Sequence, residues 1–274
     1  MLINNAKALI SLIFVLFNFS CTSDVYTRVA GNPLYLSNGT QELFWFDGIH
    51  CSDPSHRMFR DIENEFDKFV PDCVLVEGGN NIDSSDGENA ILNGGEPRYV
   101  AYLGYRHNVP VFDIEPSDEQ QFRFLLSKYE AGEILAMYLI RQIYQLHREL
   151  KDDPRNKVDF YRYFIGFINQ MKLNGFPIDD VSPQTIDNSL RPYFSLKITE
   201  DNWYSLDVGS IIYFNRTPNR IHDIWKDVTN YRDDHCVSLI EDLSKKYNRI
   251  FVMMGGDHIR AQKDRLAKIY TKTE

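Results

Sequence analysis

Four short apolar runs, each leading into a polar residue of catalytic type, constrain this chain more than any other feature of its sequence. The clearest is Cys73-Val74-Leu75-Val76, entered from Pro71-Asp72 and left through Glu77-Gly78-Gly79. Four apolar residues without polar alternation leave no face for water, so such a run belongs inside a parallel sheet covered on both sides. The runs at 42–48, 109–114 and 250–254 lead likewise into His50, Glu115 and the turn Gly255-Gly256-Asp257-His258.

The intervening segments supply the cover. Residues 33–37 and 42–48 flank Asn38-Gly39, a dipeptide suited to the positive φ angles of a hairpin turn. Ser52-Asp53-Pro54 reads as a helix start, and Met58, Phe59, Ile62, Phe66 and Phe69 recur at helical spacing, which predicts a helix over 54–69. The glycine-, serine- and acid-rich stretch 78–95 reads as a loop, long enough for a functional role. A helix over 97–105 follows. Residues 117–150 and 158–173 read as helical, whereas Pro177, Pro183, Pro192 and Pro218 break up 175–220. A helix over 227–247 precedes the last strand. The predicted fold class is α/β: a mainly parallel sheet core of βα units in a single domain over 33–274, carrying a mostly helical insertion or cap at about 117–220.

The N-terminus reads as a targeting segment. Lys7 precedes an apolar run over 8–17, broken only by Ser11, which is too short for a membrane span of about 20 residues and suits a signal peptide. Cys21, followed by Thr22, Ser23 and Asp24, resembles the lipobox cysteine of bacterial lipoproteins. That resemblance implies a signal peptide over 1–20, lipidation of Cys21, a tether over 21–32, and an exported protein held by its lipid in the bacterial cell envelope. Asn18 and Phe19 stand where the lipobox prefers leucine and a small residue, so cleavage without lipidation stays open. Cys51, Cys73 and Cys236 form no C-x-x-C pair, which points away from a thiolate zinc site. One disulfide is possible, and the sequence does not choose it. A formal charge of -9 and no basic stripe argue against a nucleic-acid partner.

In open α/β sheets ligands bind outside the carboxyl ends of the strands. His50, Glu77, Glu115 and His258 would therefore gather although far apart in sequence, and two imidazoles with two carboxylates suit either a divalent metal or water activation. Cys51 beside His50 is a poor nucleophile candidate, because adjacent residues at a strand end point in different directions.

The ordered set Phe46-Asp47-Gly48-Ile49-His50, 71–77 ending in Glu77, Ile114-Glu115-Pro116 with Gln120, Tyr231-Arg232-Asp233 and Gly255-Gly256-Asp257-His258 resembles the TraB, GumN and Tiki proteins. Erythromycin esterases and the haem-binding ChaN proteins are more distant relatives of that group. One departure stands in the first motif, where Asp47 replaces the family's glycine and Gly48 follows one place later. The resemblance implies an α/β hydrolase acting on a peptide or small ester. It casts His50, Glu77, Arg232 and His258 as catalytic, with Glu115 and Gln120 toward the substrate. In a Tiki-like reading His50, Glu77 and His258 would hold a divalent metal such as manganese, cobalt or zinc. In an esterase-like reading no metal is needed: His50 is the base, Glu77 orients the water, and Arg232 with His258 stabilises the oxyanion. Arg232 alternatively pairs with a neighbouring acid, Asp233 or Asp234. The rival from another class is a lipoprotein that binds haem or another ligand in the same cleft, with the 18 Phe and 16 Tyr as pocket or core.

Overall fold

The computed structural model describes residues 33–78, 86–149, 159–194, 198–199, 202–213 and 220–271. The candidate signal segment, Cys21 and the tether lie outside the described residues. The chain divides into two compact units, one comprising residues up to Pro116 together with Asp233 onward, the other Ser117–Arg232.

The first unit is built on a five-stranded sheet. The hairpin forms as expected: β1 (Leu34–Ser37) pairs antiparallel with β2 (Glu42–Gly48), and the Asn38 side chain accepts from the N–H groups of Thr40 and Gln41 to close the turn. β3 (Cys73–Val76), β4 (Val111–Asp113) and β5 (Arg249–Gly255) complete the order β1-β2-β5-β3-β4, parallel from β2 onward.

The two-residue period of each strand sorts the apolar side chains onto two faces. Phe44, Phe46, Val74, Val76, Phe251 and Met253 pack beneath α1 (Met58–Phe69) and α2 (Gly87–Arg106). Leu43, Trp45, Leu75, Ile250, Val252 and Met254 pack on the opposite face, against the C-terminal part of α8 (Arg220–Ser244) and α9 (Gly256–Ile269). The sheet is thus the middle of three layers, which is why β3 and β5 read as continuous apolar runs.

Two helix starts differ from expectation. α1 begins at Met58 rather than residue 54, because the Asp53 carboxylate accepts from both the N–H and the hydroxyl of Ser55 and makes a separate turn of this segment. The stretch read as a loop to residue 95 is helical from Gly87. Asp86 caps that helix through the Asn89 N–H, and Gly94 and Gly95 break it before it resumes.

The second unit is helical: α3 (Asp118–Leu126), α4 (Ala131–Glu149), α5 (Phe160–Leu173), α6 (Pro183–Leu190), a 3₁₀ turn at Trp203–Ser205, α7 (Val208–Ile212) and the first part of α8. Its aromatic side chains are largely core: Phe160, Phe164 and Trp203 are buried and in ring contact. Gly166 sits exposed inside α5, and a methyl group added there would meet nothing within 4 Å. Gly166→Ala is expected to stabilise this unit by about 0.5–1 kcal/mol, read as a raised urea midpoint, because alanine removes backbone freedom from the unfolded chain. Among the described residues no helix is long and apolar enough to cross a membrane.

Candidate functional site

Topology selects one crevice in the first unit. The helices that follow β2 and β3, α1 and α2, lie on one face of the sheet, whereas α9, which follows β5, lies on the other. The chain therefore leaves β5 in the opposite direction from both neighbouring strands, which opens a cleft at their carboxyl ends. His50 follows β2, Glu77 follows β3, and His258 stands in the first turn of α9.

His258 is oriented by a buried acid. Its Nδ1 lies 2.8 Å from Oδ1 of Asp233, a buried residue of α8, and that oxygen also accepts from Nε2 of Gln262 at 2.8 Å. A carboxylate only accepts hydrogen bonds, so a neutral imidazole facing it carries its proton on Nδ1 and presents the Nε2 lone pair. Gln262 is one helical turn beyond His258 on α9, on the same face, and is completely buried. Asp233 of α8 thus fixes the imidazole, and Gln262 of α9 fixes Asp233.

His50 is held by its backbone. It has φ 60°, the left-handed conformation unusual for a non-glycine residue. The N–H groups on either side of it, those of Ile49 and Cys51, donate to the two oxygens of Glu96 at 2.8 and 3.0 Å. Glu96 is 1% exposed. Burial pushes its carboxyl above the usual range, opposed by nearby His50 and by three backbone N–H groups, its own included. The His50 side chain is exposed and lies near the end of β5, since a Cβ on Gly255 would stand 3.8 Å from its Nε2.

Asp47 takes a position the family pattern gives to glycine. Its carboxylate accepts from the Gly256 N–H at the start of α9 and fills the space a side chain on Gly256 would need. Burial raises its pKa, and Arg260, the Gly256 N–H and His50 each pull it down. Asp47 thus joins the end of β2 to the first turn of α9, where a helix N-terminus favours an anion.

The other expected residues are distributed over both units. Glu77 is half-buried, with its N–H donating to Met253 O at 3.2 Å. Glu115 is half-buried after the edge strand β4, its N–H held by Asp113. Gln120 forms a capping box with Ser117 at the start of α3, and Arg232 immediately precedes Asp233; Gln120 and Arg232 belong to the second unit. Beside Arg232, Asp233 is hydrogen-bonded to His258 and Gln262, and Asp234 to Arg265 at 2.6 Å. Cys51 is buried and disulfide-bonded, so it offers no thiolate. Cys73 and Cys236 are buried free thiols, and burial pushes Cys73 up to about 12. Among the described residues no group of three His, Cys, Asp or Glu side chains could hold a metal ion.

The strand-end residues are legible in the sequence, whereas Asp233, Glu96 and Gln262 do not stand out there as members of the site. For Gln262 the four-residue spacing from His258 is the available signal. For Glu96 it is Gly94-Gly95 ahead of a glutamate and proline, which marks a break with a helix restarting after it. The chain matches no protein-family model, no curated protein and no solved structure.

Proposed function

We propose that this chain is an exported hydrolase of the TraB/GumN/Tiki type that cleaves an ester or peptide bond with water activated by His258. The supporting observation is the buried Asp233 on His258 Nδ1, which leaves Nε2 as the base. This reverses the roles expected of the two histidines, since the fully oriented imidazole is the one after β5. In the reaction His258 Nε2 takes a proton from water while the water oxygen bonds to the carbonyl carbon. The bond to the leaving alcohol or amine then breaks, and the leaving group takes the proton from His258. Asp233 keeps the imidazole in one tautomer and balances its transient charge. His50, with Asp47 and Glu96 beside it, supplies a hydrogen bond to the developing oxyanion, and Glu77 borders the water from β3. Export is part of the proposal, on the strength of the short apolar run behind Lys7 and the cysteine at position 21.

The test is turnover of p-nitrophenyl acetate and of a quenched fluorescent peptide library by the full chain. His258→Ala is expected to lower kcat by about 10²–10⁴-fold, the usual contribution of a general base. Wild-type protein that turns over neither substrate class, or a His258→Ala variant as active as wild type, would refute it.

A further inference from the structure

We propose that Glu96 is the positioning residue of this site: its carboxylate grips the backbone on both sides of His50 and so sets where the imidazole stands. The proposal rests on the reading of the crevice as hydrolytic only for its kinetic consequence; the clamp itself stands on geometry.

Four observations converge on it. Ile49, His50 and Cys51 lie beyond Gly48, the last paired residue of β2, so the sheet ladder does not fix them. Glu96 holds them, beside the disulfide at Cys51, with one oxygen on Ile49 N–H and the other on Cys51 N–H. A bidentate grip on residues i-1 and i+1 leaves residue i few backbone choices, and His50 is in the left-handed region. The approach of the two segments is close enough to require glycine at position 95, where the neighbour is a backbone atom. A Cβ on Gly95 would stand 2.7 Å from Cys51 O, and one on Gly48 would stand 2.7 Å from the methyl of Met253 and 3.5 Å from Glu96 Oε1. Finally, a carboxylate that is 1% exposed must find compensation inside the protein, and here it comes from His50 nearby, from its own N–H and from the Cys51 and Ile49 amides. A carboxylate at a helix start ordinarily caps its own helix. Glu96, at the restart of α2, accepts from its own N–H and also reaches with both oxygens to a loop remote in sequence.

Native-state hydrogen exchange of the full chain, read by NMR, tests the clamp without reference to any substrate. In wild type the Ile49 and Cys51 amides are expected to be protected although neither is in a helix or strand. Unprotected amides at both positions overturn the proposal outright. Glu96→Gln, near in shape, can accept at only one of the two places. It is expected to speed exchange at Ile49 or Cys51 by about tenfold or more, the loss of one charge-assisted bond, while amides of β5 and α8 keep wild-type protection. The same variant is expected to lower kcat on p-nitrophenyl acetate by about 10–100-fold at unchanged KM and melting temperature, since a misplaced group costs on this scale. Wild-type exchange at Ile49 and Cys51 in folded Glu96→Gln protein overturns the clamp. Faster exchange with unaltered kcat overturns its positioning role, and a wild type inert toward esters and peptides overturns the hydrolase reading while the exchange result still stands.

Discussion

Asp233→Asn is expected to lower ester turnover by about 10³–10⁴-fold while leaving the fold in place. Asparagine has nearly the same shape as aspartate, so the packing between α8 and α9 has no reason to change. What changes is hydrogen-bond polarity. Oδ1 of Asp233 accepts from both His258 Nδ1 and Gln262 Nε2, and an asparagine has one acceptor oxygen and one donor nitrogen. If the asparagine nitrogen turns to His258, Nδ1 becomes an acceptor, the proton moves to Nε2, and the atom that should take a proton from water already carries one. If the asparagine oxygen stays on His258, the tautomer survives but the negative charge that balances the imidazolium is gone. Either outcome removes base strength, the first far more than the second. Steady-state kinetics beside a thermal melt separates chemistry from folding. Turnover by the Asp233→Asn protein within twofold of wild type, at equal melting temperature, would show that Asp233 is a structural buried acid and that the base lies elsewhere.

The contrast between the two histidines shows how far a sequence reaches. The sheet was legible because burial on both faces removes polar alternation, and β3 and β5 announce themselves as Cys73–Val76 and Arg249–Gly255 do. That His50, Glu77 and His258 follow three neighbouring strands follows from the same runs plus the rule for carboxyl edges. What could not be read was rotation and reach. Asp233 stands beside Arg232 and Asp234 in the sequence, and its partner depends on which way α8 turns that position; the helix turns it toward α9, and Arg265 takes Asp234. Nor could the reach of Asp47 be read: its carboxylate occupies the space above Gly256, so an aspartate on β2 requires a glycine on α9. Glu96 was hidden for a different reason. Gly-Gly-Glu-Pro has the composition of a turn, and the signal for a break in a helix says nothing of what the break approaches.

That break carries the second large effect. Gly95→Ala is expected to destabilise the protein by about 3 kcal/mol or more, whereas Gly94→Ala costs under about 1 kcal/mol. Gly95 has φ 61° and ψ -147°, a region open almost only to glycine, so any side chain adds backbone strain of about 1–3 kcal/mol. Its Cβ would also press on the Cys51 carbonyl oxygen, a backbone atom that cannot move aside because the N–H of the same residue is fixed on Glu96. The only relief is to push the Cys51 segment away from α2, which lengthens the hydrogen bonds that hold His50. Gly94 differs on both counts. Its φ of -175° is extended backbone that alanine adopts freely, and the atoms a Cβ would meet belong to the long, flexible Arg98 side chain. Urea unfolding of both variants, with the Ile49 and Cys51 amides followed by exchange, tests this pairing. Equal stability of the two would mean that the approach of α2 to the His50 loop is looser than the Gly95 geometry requires.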